Sequence, residues 1–189
     1  EYYHISEKNP LIKYLYSREL KMYQRADGII FSMAGGKDYL KDRAWDKLID
    51  LDKVHHINNG VDLVAFNNYK EQYQLDDPDL NDPNIFKVIY CGSIRKVNQV
   101  GKLLDVANLL KNEKVKFLIY GSGDELDTLK ERVANEQINN VRLNGFVDKK
   151  YIPYITTKSD VNIILGETSK LFSYGISMNK LFDYFASGK

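Results

Sequence analysis

Between Ile85 and Leu165 the chain repeats one pattern: a short apolar run rich in β-branched and aromatic residues, a glycine, then an amphipathic helix. Ile85-Phe86-Lys87-Val88-Ile89-Tyr90-Cys91 stops at Gly92-Ser93, and Val115-Lys116-Phe117-Leu118-Ile119-Tyr120 stops at Gly121-Ser122-Gly123. Val141-Arg142-Leu143 leads to Gly145-Phe146-Val147-Asp148, and Val161-Asn162-Ile163-Ile164-Leu165 to a loop holding Gly175. The intervening helices are expected over Asn98 to Lys111, with Val100, Leu103, Leu104, Ala107 and Leu110 on one face; after Asp124 as cap, with Leu126, Leu129 and Val133; and around Lys150 to Thr157. Strands without polar alternation, separated by helices, predict an α/β fold with a parallel sheet and helices on both faces. Such sheets bind ligands beyond the carboxyl ends of their strands, so the loops at Gly92, Gly121, Gly145 and Gly175 are expected on one rim.

The first sixty residues read differently. A helix from about Glu7 to Arg25 carries Ile12, Leu15, Tyr16, Leu20 and Tyr23 as its apolar stripe, with Lys13, Arg18, Lys21 and Arg25 elsewhere. Asp27-Gly28 ends it, Gly28-Ile29-Ile30-Phe31-Ser32 is a short strand, and Gly35-Gly36 turns into a helix through Tyr39 and Leu40. Val54-His55-His56-Ile57 is a further strand, closed by Asn58-Asn59-Gly60, a pair of the kind that takes positive φ. A boundary near Gly60 to Phe66 gives two parts, 1–62 and 63–189.

Composition excludes several classes. With 189 residues and a net charge of +1, nothing in the electrostatics favours nucleic acid. A single cysteine, Cys91, suits a reducing compartment. No run reaches the length of a membrane span, and Glu1-Tyr2-Tyr3-His4 is no signal peptide. His55 and His56 point to opposite sides of a strand, and the acidic stretch Asp76 to Pro83 lacks the glycine and glutamate of a calcium loop; no metal site is expected. That stretch is read as a solvated loop. Gly121-Ser122-Gly123 has Leu126 where a dinucleotide fingerprint needs its third glycine, which sets hydride chemistry aside.

At the C-terminal end, Ser177-Met178-Asn179-Lys180-Leu181-Phe182-Asp183-Tyr184-Phe185-Ala186-Ser187-Gly188-Lys189 reads as a helix with Ser177 as cap, Met178, Leu181, Phe182 and Phe185 as apolar face, and Gly188 as stop. Asn179, Lys180 and Asp183 then lie in its first turns, where free N–H groups favour an anion. This run resembles the P-N-K-L-F-E-Y-x-A-x-G-K-P segment of family 4 retaining glycosyltransferases of the GT-B fold, which use nucleotide-sugar donors, often in capsule or other polysaccharide assembly. Further upstream, Arg25-Ala26-Asp27-Gly28-Ile29-Ile30-Phe31-Ser32 and Asn58-Asn59-Gly60-Val61-Asp62 look like the family's passage between its domains. The resemblance runs from about Tyr14 to Lys189 and implies a Rossmann-like donor domain, with the chain a fragment of the whole enzyme.

The resemblance also assigns roles. Asp183 would hold the ribose hydroxyls, Asn179 and Lys180 would face the donor diphosphate, the loop at Gly121 and Gly123 would border the nucleotide, and Phe146 and Val147 would meet the base. Phe146 is equally readable as core. The family's arginine after the first loop glycine is Ser93 here, beside Gly92; Arg95, with Lys96 or Lys102 as alternatives, is the first choice to replace it. Asn98 or Gln99 falls where a later lysine is expected. Eight residues before Asp183 stands Gly175 instead of the first glutamate of the family's Glu-x7-Glu motif, and Glu167 lies earlier in the same loop. The implied chemistry is metal-independent sugar transfer with retention, Arg95 and Lys180 acting on the leaving diphosphate. The donor is a UDP-sugar by preference, no cofactor is needed, and the acceptor is a sugar or lipid-linked sugar. The implied setting is the cytoplasm, at the inner face of the membrane where the remaining domain makes peripheral contact. A non-catalytic nucleotide- or partner-binding α/β module is the alternative.

Overall fold

A computed structural model describes residues 5–167 and 169–189, so the opening Glu1 to His4 lies outside the described residues. The chain divides into two compact units, residues 1–59 with 168–178 and residues 60–167 with 179–189. Among the described residues no helix is long and apolar enough to cross a membrane.

In the first unit α1 (Pro10–Arg25) begins at a proline after Asn9, whose side chain accepts from the Leu11 N–H. β1 (Ile29–Phe31), α2 (Gly36–Asp42) and β2 (Val54–His56) follow, with β1 and β2 parallel. Ile29, Leu40, Ile49 and Val54 form the core. Leu20 and Tyr23 of the expected α1 stripe pack on it, whereas Leu15 is exposed. The Asn58–Gly60 turn is not built as expected: neither Asn59 nor Gly60 takes positive φ. Asn59 is instead held by Ser177, its N–H donating to the hydroxyl and its side-chain amide to the carbonyl at 2.6 Å.

The second unit opens with α3 (Leu63–Gln72), a helix not anticipated from the sequence, although Asp62 caps it by accepting from the Val64 and Ala65 N–H groups. The acidic stretch is not a solvated loop either. Asp77 caps a short α4 (Pro78–Asn81), Leu80 is fully buried, and Asp77 and Asp79 both pair with Arg142. The acids there face cations on the sheet, which is why the segment is ordered.

β3 (Phe86–Cys91), α5 (Gly101–Leu109), β4 (Val115–Tyr120), α6 (Leu126–Asn135), β5 (Val141–Gly145), α7 (Ile152–Thr157), β6 (Val161–Asn162) and α8 (Asn179–Ser187) complete the unit. The four strands are parallel in the order β5-β4-β3-β6. Alternation puts Tyr90, Phe117 and Ile119 on the face covered by α5 and α6, and Ile89, Cys91, Leu118 and Tyr120 on the face covered by α4, α7 and α8. This is the Rossmann-like arrangement expected, helices on both faces. Asp124 does not cap α6, whose N-cap position is Glu125 with no side-chain bond.

β6 is shorter than the Val161–Leu165 run suggests. Ile163 still donates to the Ile89 carbonyl at 2.9 Å, but the next N–H on that edge of β3, that of Cys91, has no strand to meet. The buried Tyr184 hydroxyl accepts it at 2.9 Å. Tyr184, not Phe185, is therefore the anchor of α8; Phe185 is 69 % exposed. Tyr184→Phe leaves a buried N–H without an acceptor and is expected to cost about 1–3 kcal/mol. Alkylation of Cys91, the sole and buried thiol, measures it: the variant should react several-fold faster than the parent under native conditions.

Candidate functional site

Strand order decides where a ligand can bind. From β3 the chain moves to β4 and β5 on one side, then crosses back to β6 on the other, so the loops leaving the carboxyl end of β3 diverge at a switch point. A cavity of about 500 Å³ opens there, inside the second unit. Gly92, Ser93 and Arg95 after β3, Gly121 after β4, Phe146 and Val147 after β5, and Asn179, Lys180 and Asp183 of α8 all line it. Two residues expected in the site do not. Gly123 packs its α-carbon against the loop after β3, where a Cβ would lie 2.1 Å from the Ile94 carbonyl oxygen. Gly175 belongs to the first unit, at φ +120° beside Met33 and Ala34.

The loop after β3 is held from several sides. The Ile94 N–H donates to the Ser122 carbonyl at 2.8 Å, and the Tyr90 hydroxyl to the Ser93 carbonyl at 2.8 Å. Asn98, in the neighbourhood of the family's lysine, donates to both the carbonyl and the hydroxyl of Ser93. Ser93 is thus engaged in building the loop. Arg95 projects from it, exposed, and its guanidinium makes no hydrogen bond or ion pair among the described residues. Lys102 lies instead beside a separate cavity with Lys96.

The helix α8 supplies the opposite wall. Ser177, expected as its cap, is tied to Asn59, and the helix begins two residues later at Asn179. Lys180 lies half-buried with Nζ 3.1 Å from the Tyr90 hydroxyl and 4.5 Å from its ring centroid. A Cβ on Gly92 would come within 3.0 Å of that ammonium, so the glycine makes room for it. Among the described residues Lys180 has no carboxylate partner, and burial lowers its pKa from the ordinary lysine value. Asp183, one turn on, receives no hydrogen bond among the described residues; burial raises its pKa, with Lys149 opposing. A cation with no carboxylate partner and a carboxylate that receives no hydrogen bond among the described residues, in one cavity, are groups awaiting a ligand. Cys91 also lines the wall, but burial pushes its thiol up to about 12, which makes it inert as a nucleophile.

Phe146 is 73 % exposed at the cavity edge, which resolves its alternative reading as core. The cavity wall also holds Tyr120, Lys149, Ile152 and Tyr184, which the sequence did not single out, and Tyr90 supports the site from behind through Lys180. Tyr90 could have been found, since it stands two residues before Gly92 on the face opposite Cys91. Lys149 and Asp183 also border an adjoining cavity of about 250 Å³ reaching Gly60, Asp62 and Tyr69. No cluster of His, Cys, Asp and Glu suited to a metal occurs among the described residues.

A doubly wound parallel sheet whose switch-point loops end in glycines is the Rossmann-like arrangement of nucleotide-binding α/β domains. A family model described as glycosyl transferases group 1 matches residues 73–172, more than half of the chain. The chain belongs to the group 1 glycosyl transferases. Among solved structures, Anabaena HepE in complex with UDP and glucose is 16 % identical with TM-score 0.64, over 100 % of this chain and 48 % of its own. The pneumococcal O-GlcNAc transferase GtfA, in complex with UDP and GlcNAc, is 19 % identical with TM-score 0.61, over 92 % and 31 %. WaaG, a glycosyltransferase involved in lipopolysaccharide biosynthesis, is 8 % identical with TM-score 0.65, over 96 % and 48 %. The chain spans about half the length of HepE and WaaG. Comparison with curated proteins gave no match.

Proposed function

We propose that this chain supplies the donor site of a glycosyltransferase of the family 4, retaining kind, which moves a sugar from a nucleoside diphosphate, by preference UDP, to a sugar or lipid-linked acceptor. The observation that carries it is the placing of Lys180 and Asp183 one helical turn apart in the same cavity, neither with an ionic partner among the described residues. Asp183 accepts the two ribose hydroxyls, which a carboxylate can do with either oxygen. Phe146 and Val147 border the base. Lys180, Arg95 and the first-turn N–H groups of α8 meet the diphosphate.

In the transfer the bond between the anomeric carbon and the β-phosphate oxygen breaks, and negative charge grows on that oxygen. Lys180 and Arg95 stabilise the charge as preorganised donors, without a metal ion in the scheme. That UDP occupies HepE and GtfA supports uridine as the base. WaaG's part in lipopolysaccharide biosynthesis supports a polysaccharide or lipid-linked acceptor. The proposed setting is the cytoplasm, at the membrane's inner face.

Calorimetric titration with UDP, GDP, ADP and uridine, each with and without EDTA, tests the reading. UDP is expected to bind most tightly and to be indifferent to EDTA. Lys180→Met should weaken UDP by roughly tenfold to a hundredfold, the loss of one charged hydrogen bond, and leave uridine unchanged. If no nucleotide binds the folded chain, the non-catalytic module is the better account.

A further inference from the structure

A second cavity, of about 370 Å³, lies wholly within the first unit, and no role in donor binding touches it. Its size falls in the range of about 300–1,000 Å³ usual for small-molecule sites. Tyr16, Glu19 and Tyr23 enter it from one face of α1, Tyr39 from α2, Arg43 from the residue that ends α2, and Phe31 from the end of β1. Most of these rings pack edge-on or tilted, Tyr23 against Phe31 at 5.8 Å and Phe31 against Tyr39 at 6.1 Å between centroids.

The polar groups are arranged as firmly. Glu19 Oε1 accepts from the hydroxyls of Tyr23 at 2.9 Å and Tyr39 at 2.8 Å, which fixes the carboxylate. Its Oε2 receives no hydrogen bond among the described residues. Arg43 stacks its guanidinium carbon 3.6 Å above the Tyr16 ring and pairs with Glu7, not Glu19. The cavity therefore offers aromatic walls, one free carboxylate oxygen and a guanidinium held off it.

Ligand classes can be separated on that chemistry. An organic cation would want the ring face that Arg43 already occupies, and would be repelled by it. An anion would meet the Glu19 carboxylate. An apolar molecule would strip water from both charges and return no hydrogen bond. A neutral polyol with an apolar C–H face satisfies every group: one hydroxyl donates to Glu19 Oε2, another accepts from Arg43, and the ring lies against the aromatics. We infer that this cavity is a saccharide-binding site, sized for one or two sugar rings.

Trp45, the only tryptophan, stands within 6.4 Å of Tyr16, Tyr23 and Tyr39 by ring centroid and reports on the cluster. The test titrates the whole chain, without nucleotide, with maltose, cellobiose, lactose, N,N′-diacetylchitobiose and, as the rival class, choline. Trp45 fluorescence and saturation-transfer NMR are the readouts. At least one disaccharide should saturate at millimolar concentration, and choline should not. Glu19→Gln should weaken that disaccharide about tenfold, and Met33→Phe, which fills the cavity from a loop residue outside the hydrogen-bond network, should abolish it with native Trp45 emission retained. Saturation by no disaccharide, by choline alone, or unchanged binding in both variants would overturn the inference. Since no nucleotide is present, failure of the donor site leaves every arm readable.

Discussion

Asp183→Ala is expected to weaken UDP and uridine alike by about a hundredfold or more, the loss of two hydrogen bonds to a charged acceptor at about 1.5–3 kcal/mol each. Equal loss for nucleoside and nucleotide separates it from Lys180→Met, which should spare uridine. The same substitution should not destabilise the fold. Burial raises the Asp183 pKa, so the folded state favours the protonated form. The stabilising contribution is complete below the unfolded carboxylate range and is lost as pH rises through the raised folded value. At neutral pH the parent carries an unpaired, half-buried carboxylate. Asp183→Asn should then melt no lower than the parent at neutrality, and any excess in melting temperature should vanish as the parent's carboxyl protonates. Binding follows the opposite sense. UDP affinity should fall on acidification at a higher pH than an ordinary carboxylate would give, as Asp183 protonates. It should fall again on the alkaline side before the ordinary lysine range, as Lys180, lowered by burial, loses its proton. Calorimetry across pH with both variants checks each limb. A flat profile, or an Asp183→Ala chain that binds uridine normally, would remove Asp183 from the site.

Gly121→Ala should have the largest effect on the fold. Its φ of +149° is strained for any side chain, and a Cβ there would stand 1.7 Å from the Gly92 carbonyl oxygen. That oxygen cannot step aside, because the Gly92 N–H is bonded to the Tyr120 carbonyl and the next turn is tied to Ser122. The two loops that form the cavity floor would have to separate. We expect a loss of roughly 3–4 kcal/mol or more, placing it among the rare severe substitutions. UDP binding should go with it, since Gly92 and Gly121 both line the cavity. Cys91 reports the damage directly: buried one residue before Gly92, it should become open to alkylation without denaturant. Gly145→Ala is the control. It also has positive φ, at +74°, but a Cβ there meets nothing within 4 Å, so only the backbone strain of about 1–2 kcal/mol remains.

How far the sequence could be read depended on the range of the forces involved. Strand runs ending in glycine, and helices with a 3.6-residue apolar period, are set by neighbours close in sequence, so the parallel sheet and its two covered faces were legible from Ile85 onward. The grouping of Gly92, Gly121, Phe146, Lys180 and Asp183 followed from topology, because parallel strands put their carboxyl ends on one rim. Where partners lie far apart along the chain, the reading failed. Asp76 to Pro83 looked like a solvated acidic loop because its cation, Arg142, is some sixty-five residues away. Ser177 looked like a cap because its partner Asn59 is 118 residues away. The amphipathic pattern of α8 named Phe185 and passed over Tyr184, which is buried in the core under the sheet with its hydroxyl accepting the Cys91 N–H on the edge of β3. The sequence by itself determined the order of elements, the glycines that let loops approach, and the residue types available for a diphosphate and a ribose. Only the tertiary structure decided which of those charged side chains were left without an ionic partner, and so which stand ready for a ligand. Pairing among distant charges and hydroxyls is settled by the packing of the sheet, and no local pattern records it.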